Sequence, residues 1–271
     1  MKTTAIVISS CDAYSDLWNP FFELFFKYWR NNSYPVYLIS NKKIANFENV
    51  KTIATQTTNS WSDDMKIALE QIQEDNIILI LEDYLFTSPV KTDWLDKCLN
   101  IHELENADYF LITCFPEKFN TIYPTITPKP NQNYAEISKE STYLCSLQIA
   151  IWKNKYLQEL LISGENPWQF EINGTKRAAQ TKSKHLRLLA EKGNKTVHGP
   201  INYYCTAITK GKWMRGAVEL CKKENIKIDL SQRKVETKIE ETIRNIYISS
   251  PFFVRRILNF IHHRIFNFLP K

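Results

Sequence analysis

The chain has 271 residues, of which 44% are hydrophobic and 24% charged, enough apolar content for one large α/β domain or two small ones and too much for disorder. Its net charge of +6 sums a well-mixed stretch of acids and bases and a basic excess near the end. Six dispersed cysteines without a CxxC pair suggest neither a zinc site nor a disulfide framework and fit a reducing cytosol, while six glycines without GxGxxG or a Walker A pattern argue against a dinucleotide fold or a P-loop enzyme. The opening MKTTAIVISSCD is too briefly apolar for a secretory signal, and no run reaches the length of a membrane-spanning helix.

Taken in order, Thr4–Ser9 predicts a first strand ending in Ser9, Ser10, Cys11 and Asp12, small polar residues able to accept hydrogen bonds from a ligand. Ser15 or Asp16 can cap a helix over 17–29, whose aromatic crowding is core packing rather than a cofactor site. Strands follow at 34–40 and Val50–Ala54. The segment SWSDDMKIALEQI begins a helix capped by Ser60 or Ser62; Asp63 and Asp64 suit its positive end, and Asp63 can alternatively turn toward a ligand.

The stretch 76–87, NIILILEDYLFT, is the centre of the pattern. Unbroken aliphatics from Ile77 to Leu81 describe a parallel strand covered on both faces, and Glu82, Asp83 and Tyr84 follow at its carboxyl end. Open α/β sheets bind ligands at that edge, so these acids are the candidate active centre. A helix is expected at 92–103, a buried strand at 108–114, and a long irregular loop over 115–141, with Phe119, Tyr123 and Tyr134 suited to a lid over an acceptor.

A strand at 143–152 and a helix at 153–161 lead to ENPWQFEINGTKRA. Pro167 starts a helix there, placing Trp168 and Glu171 one turn apart: an aromatic platform for a sugar ring beside a carboxylate that could serve as general base. His198 precedes a strand over 201–208, and Lys210, Lys212 and Arg215 surround Trp213. Residues 234–247 describe a helix able to pair with a copy of itself. From 249 to 271 no acid occurs, and Phe253, Ile257, Phe260, Ile261 and Ile265 recur at helical spacing beside Arg255, Arg256, Arg264 and Lys271. That is the pattern of an amphipathic helix on an anionic membrane, and a poor one for nucleic acid.

SSCDAYSDLWNPFF after the first strand, LILEDYLF at the central strand, SLQIAIW, and NPWQFE followed by Gly and a basic pair together resemble bacterial glycosyltransferases of the GT-A fold, particularly small enzymes of capsule and lipopolysaccharide assembly. The resemblance implies an α/β, GT-A-like, Rossmann-like domain over 1–230, with a central mostly parallel twisted sheet flanked by helices. A nucleotide-sugar half would span 1–114 and an acceptor half 115–230, with a helical basic amphipathic segment over 231–271. It implies an enzyme moving sugar from a nucleotide-sugar donor to a saccharide or lipid-linked acceptor, and the dispersed cysteines and the basic amphipathic tail suggest that such an enzyme would be cytoplasmic and peripheral on the inner face of the membrane.

On that resemblance Ser9, Asp12, Asp63, Glu82, Asp83, Tyr84, Lys212 and Arg215 would border the donor, Trp168 and Gln148 the acceptor, and Glu171 and Asp83 would be catalytic, in an inverting displacement. Tyr84 stands where the family's Asp-x-Asp motif carries its last aspartate, the usual metal ligand. A Mn²⁺ or Mg²⁺ ion would then rest on Asp83 and His198, or Lys212 and Arg215 would replace it. Two other readings compete: a nucleotidyltransferase, disfavoured by the absence of glycine in SSCDAYS, and a carbohydrate-binding or membrane-peripheral scaffold, for which Tyr84 argues.

Overall fold

The structure is a computed structural model and describes residues 2–57, 59–116, 123–126, 132–190 and 197–249. The expected amphipathic segment from 250 onward, and Phe119 of the expected lid, lie outside the described residues. Two compact units are present, Met1–Cys205 and Thr206–Lys271.

The first unit is built on an eight-stranded sheet of order β3-β2-β1-β4-β8-β6-β9-β7. Its strands are β1 Thr4–Ser9, β2 Val36–Ser40, β3 Val50–Ala54, β4 Asn76–Leu81, β6 Tyr109–Leu111, β7 Tyr134–Glu136, β8 Ala150–Lys153 and β9 His185–Leu188. β1 pairs in parallel with β2 and β4, β2 with β3, and β6 with β9, whereas β8 and β7 enter antiparallel. The result is the mostly parallel α/β sheet expected from the run of aliphatics in β4. Ala5, Val7, Ile77 and Leu79 share one core with Met65, Leu69, Leu157, Phe170 and Ala178, while the alternate residues Ile6, Ile8, Ile78 and Ile80 are as fully buried, so both faces are covered.

The helices of this unit are α1 Trp18–Tyr28, α2 Trp61–Glu70, α3 Thr92–Leu104, α4 Asn154–Leu160 and α5 Pro167–Ala179. Phe21 and Phe25 of α1, and Trp29 just after it, pack on Phe86 of the short strand β5, Leu85–Phe86, at ring separations of 6.0, 5.6 and 6.5 Å. β5 pairs antiparallel with β10, Tyr203–Tyr204. The side-chain amide of Asn154 donates to the carbonyls of Leu69, Ile72 and Glu74, closing the carboxyl end of α2 onto the start of α4.

Several expectations are corrected. No side chain caps α1: residues Asp12–Leu17 form a 3-10 turn that feeds directly into the helix, and Asp16 is buried. Only 150–152 of the expected strand 143–152 enters the ladder, as part of β8. The backbone N–H groups of Cys145 and Leu147 donate instead to Thr175 Oγ1 and Glu171 Oε1 of α5, at 3.0 and 2.8 Å, so that part of the chain needs no strand partner. The expected loop 115–141 contains β7 and a bridge between Thr125 and Ile137. The strand β9, HLRL, follows no signal strong enough to predict it, since it holds a histidine and an arginine at fully buried positions.

The second unit contains β11 Ile208–Thr209, β12 Lys212–Trp213, α6 Arg215–Lys223 and α7 Lys238–Ser249. The expected strand over 201–208 is interrupted because Thr206 takes a positive φ of 67°. Trp213 bridges Val235, and Lys212 pairs with Glu240, so residues on both sides of position 230 belong to one unit.

His102 and His185 are buried, and burial lowers each to about 4 from 6.5. His185 Nδ1 donates to the Leu144 carbonyl at 2.8 Å, leaving Nε2 to accept from the Tyr156 hydroxyl, also at 2.8 Å. A histidine with a folded pKa below its unfolded one binds fewer protons when folded, so its contribution is full above the unfolded pKa and is lost as pH falls. Urea unfolding at stepped pH should show stability declining between about pH 6.5 and 4, by on the order of 3 kcal/mol per histidine at most. His102→Leu should reduce that slope, and an unchanged slope would rule out a neutral buried His102.

Candidate active site

The parallel pairing of β1 with β4 aligns Ser9 with Leu81, so Ser10–Cys11–Asp12 and Glu82–Asp83–Tyr84 emerge side by side at the carboxyl edge. The Glu82 N–H donates to the Ser9 carbonyl at 3.3 Å, and the Tyr84 N–H to that of Leu81 at 3.1 Å, turning the chain into β5. Two indoles brace the first of these segments: Trp61 Nε1 donates to Ser9 Oγ at 2.9 Å and Trp18 Nε1 to Ser10 Oγ at 2.7 Å. Glu82 is buried, and Asp83 is half-buried. Burial and then the charge of Glu82 push the Cys11 thiol above its usual pKa, which makes Cys11 and Glu82 near neighbours.

Asp12 ties this edge to the end of β2. Its carboxylate accepts the backbone N–H groups of Asn41, Lys42 and Lys43, each at 3.1 Å to Oδ1, and its own N–H donates to Asn41 Oδ1. Asn41 Nδ2 in turn donates to Asp64 Oδ2 at 2.8 Å, while Thr55 Oγ1 donates to Asp64 Oδ1 at 2.5 Å. Burial raises the Asp64 carboxyl despite those two donors. Asp63 stays at the helix start, where the hydroxyls of Ser60 and then Ser163 hold it below the usual carboxylate range. Ser60 is the cap of α2, accepting the Asp63 N–H.

Tyr84 does not point to solvent; it is 3% exposed and stacked on Tyr203 at 4.8 Å. Gln148 joins the two hydroxyls, with Nε2 donating to Tyr84 at 2.7 Å and Oε1 accepting from Tyr203 at 2.6 Å. The Tyr203 hydroxyl also lies 3.0 Å from Thr113 Oγ1. The Tyr84 oxygen thus accepts, and its own proton has no acceptor among the described residues. Burial above all, then the neighbouring Tyr203, Cys205, Asp83 and Glu171, holds the Tyr84 pKa well above 10, so the phenol stays protonated as a hydrogen-bond donor.

Glu171 completes the group. It sits one turn into α5, a helix started by Pro167 and by reciprocal capping between Asn166 and Gln169. Its Oε1 accepts the Leu147 N–H at 2.8 Å and the Ser146 hydroxyl at 3.2 Å, and its Oε2 has no hydrogen bond among the described residues. Burial raises its pKa, and the Leu147 and Ser146 donors oppose that rise. The tripeptide Ser146-Leu147-Gln148 therefore links the carboxylate of α5 to the phenol at the end of β4. On the same helix Trp168 and Ile172 are 67% and 51% exposed, while a two-pronged ion pair of Arg177 with Glu165 at 2.8 and 2.6 Å fastens the far side.

The remaining sequence-predicted residues make contacts of their own. The backbone of His198 pairs with Cys114, and its ring lies 5.9 Å from that of Trp94. Among the described residues no group of three or more His, Cys, Asp or Glu side chains is placed to hold a metal ion. Lys212 and Arg215 belong to the second unit and are paired there with Glu240 and Glu241. Ser146, Tyr203, Thr113, Asn41 and Trp61 were not singled out by sequence reasoning; only the aromatic pair Tyr203-Tyr204 offered a signal, and it read as strand.

No protein-family model matches the chain, and no curated protein does. Solved structures similar to it include the bifunctional IspDF from Campylobacter jejuni, at 14% identity and a TM-score of 0.41 over 70% of this chain and 50% of that one. Residues 1–349 of TarS from S. aureus give 12% identity and a TM-score of 0.48 over 73% of this chain and 60% of that one. The chain thus spans between half and three fifths of the length of these two structures.

Gln148→Met keeps the volume of the side chain but leaves the Tyr84 and Tyr203 hydroxyls without the amide that joins them. Urea unfolding should register a loss of about 1–3 kcal/mol, the range for stranding a buried polar group. A neutral outcome would show that the amide bridge does not hold the site together.

Proposed function

We propose that this protein is a glycosyltransferase that moves a sugar from a nucleotide-sugar donor to a saccharide or lipid-linked acceptor with inversion at the anomeric carbon. The observation that carries the reading is Glu171. One carboxylate oxygen is fixed by a backbone N–H and a hydroxyl, the other is uncommitted, and the group lies on the helix that exposes Trp168. A base held by one oxygen keeps its orientation while the other takes a proton, and partial burial makes it a stronger base than a free carboxylate.

In this reading the acceptor sugar stacks on Trp168 and its hydroxyl meets Glu171 Oε2. As the proton passes to Glu171, the acceptor oxygen forms a bond to the anomeric carbon, and the bond from that carbon to the donor phosphate breaks with its electron pair leaving on the diphosphate. The donor lies along the carboxyl edge, bordered by Ser9, Glu82, Asp83 and Tyr84, with the phenol of Tyr84 supplying a hydrogen bond. Asp12 and Asp63 act behind that edge, since their oxygens are already engaged with the backbone at 41–43 and with Ser60.

Glu171→Gln should lower kcat by about 10²–10⁴-fold while thermal shifts with nucleoside diphosphates persist. The acid limb of kcat/KM, set by the carboxyl that must lose its proton, should lie above the ordinary glutamate pKa of 4.5 and disappear in the variant. Wild-type turnover in that variant, or retained anomeric configuration in the product, would overturn the mechanism. Absence of donor hydrolysis together with absence of any nucleotide shift would favour a binding scaffold, the reading that a buried, bonded Tyr84 supports.

A further inference from the structure

The charge of this protein is partitioned by unit. Residues 1–205 carry 21 basic and 23 acidic side chains, and residues 206–271 carry 14 basic and 6 acidic, so a net +8 resides in the smaller unit and a net −2 in the larger. The acids of the smaller unit are largely engaged. Glu240 pairs with Lys212, Glu241 with Arg215, and Glu236 with Arg244, which fixes one side of α7 to its own unit.

The other side of α7 is apolar. Ile239, Ile243 and Ile246 recur four and three residues apart, which aligns them on one face, and they are 73%, 62% and 55% exposed. Three isoleucines in line on an exposed helix are more than the scattered surface apolar residues of an ordinary monomer. Lys238, Thr242 and Asn245 border the stripe on one side, and Glu240, already paired with Lys212, borders it on the other.

We infer that this face of α7 is the site at which the protein lies on an anionic lipid surface. Three observations select lipid over the other occupants. The unit that bears the stripe is strongly cationic, which suits acidic headgroups and disfavours pairing with a second copy of itself. The chain continues past the helix for 22 residues that contain four basic residues, no acid and a further set of bulky apolar residues, so the amino acids needed to anchor in an interface adjoin the stripe in sequence. The apolar spacing would also suit a coiled-coil seam, but three positions fall short of the three to four heptads such a seam requires, and Pro251 interrupts the heptad immediately afterward. This inference is independent of the reaction assigned above.

Sedimentation of the full-length protein with vesicles tests it. The protein should bind vesicles of phosphatidylcholine mixed with phosphatidylglycerol, bind phosphatidylcholine alone far more weakly, and release as salt is raised. The triple variant Ile239→Ser, Ile243→Ser, Ile246→Ser should bind the mixed vesicles about a hundredfold more weakly. Should that variant fail to fold, Ile239→Ser and Ile243→Ser singly, each at a position more than half exposed, should each show a smaller loss. Undiminished binding by the variants would assign any lipid affinity to the terminal 22 residues alone and overturn the inference. So would the absence of wild-type binding, or a wild-type dimer that the variants dissociate.

Discussion

The backbone N–H of Leu147 is the constraint on which the site depends. A buried donor must be satisfied, and here its acceptor is not a neighbouring strand but the carboxylate of Glu171. That choice releases residues 143–149 from the sheet, brings Thr175 to the Cys145 N–H in the same manner, and leaves Gln148 free to reach Tyr84 and Tyr203. A carboxylate that replaces a strand as backbone partner is charge-assisted and geometrically fixed, which is what a catalytic base needs and what a surface glutamate lacks.

Around this link the molecule separates rigid scaffold from chemistry. Parallel pairing of β1 with β4 brings the polar ends of the two strands together, and both faces of those strands are covered, so the edge cannot shift without disturbing the core. The Asp12–Asn41–Asp64 network then locks the end of β1 to the end of β2 and to α2. Such a network contributes order rather than reactivity, because each oxygen that accepts a backbone N–H is unavailable to a substrate. Asp12 and Asp64 are spent on the framework in this way, whereas Glu171 keeps one oxygen uncommitted.

The second unit follows a different logic. Three of its acids are used inside it, in pairs with Lys212, Arg215 and Arg244 that are partly exposed, where such pairs contribute little to stability but determine which side of α7 faces inward. What is left outward is the apolar stripe of Ile239, Ile243 and Ile246. Lys212 and Arg215 are the partners of Glu240 and Glu241 in these pairs.

The sequence alone determined the class of fold, because unbroken aliphatics in β4 and β1 demand burial on both faces and only a helix-covered parallel sheet provides it. Local chemistry likewise specified the cap at Ser60, the start of α5 at Pro167, and the positions of Glu82, Asp83, Tyr84 and Glu171 relative to their own elements. Tertiary structure decided which of those residues touch. No periodicity in 143–149 reveals that its N–H groups belong to α5, none in HLRL announces a buried strand, and nothing near Tyr84 names Tyr203, more than a hundred residues away, as its partner. Propensity and pattern act over a few residues, whereas hydrogen-bond satisfaction in a closed interior is a property of the whole packed chain.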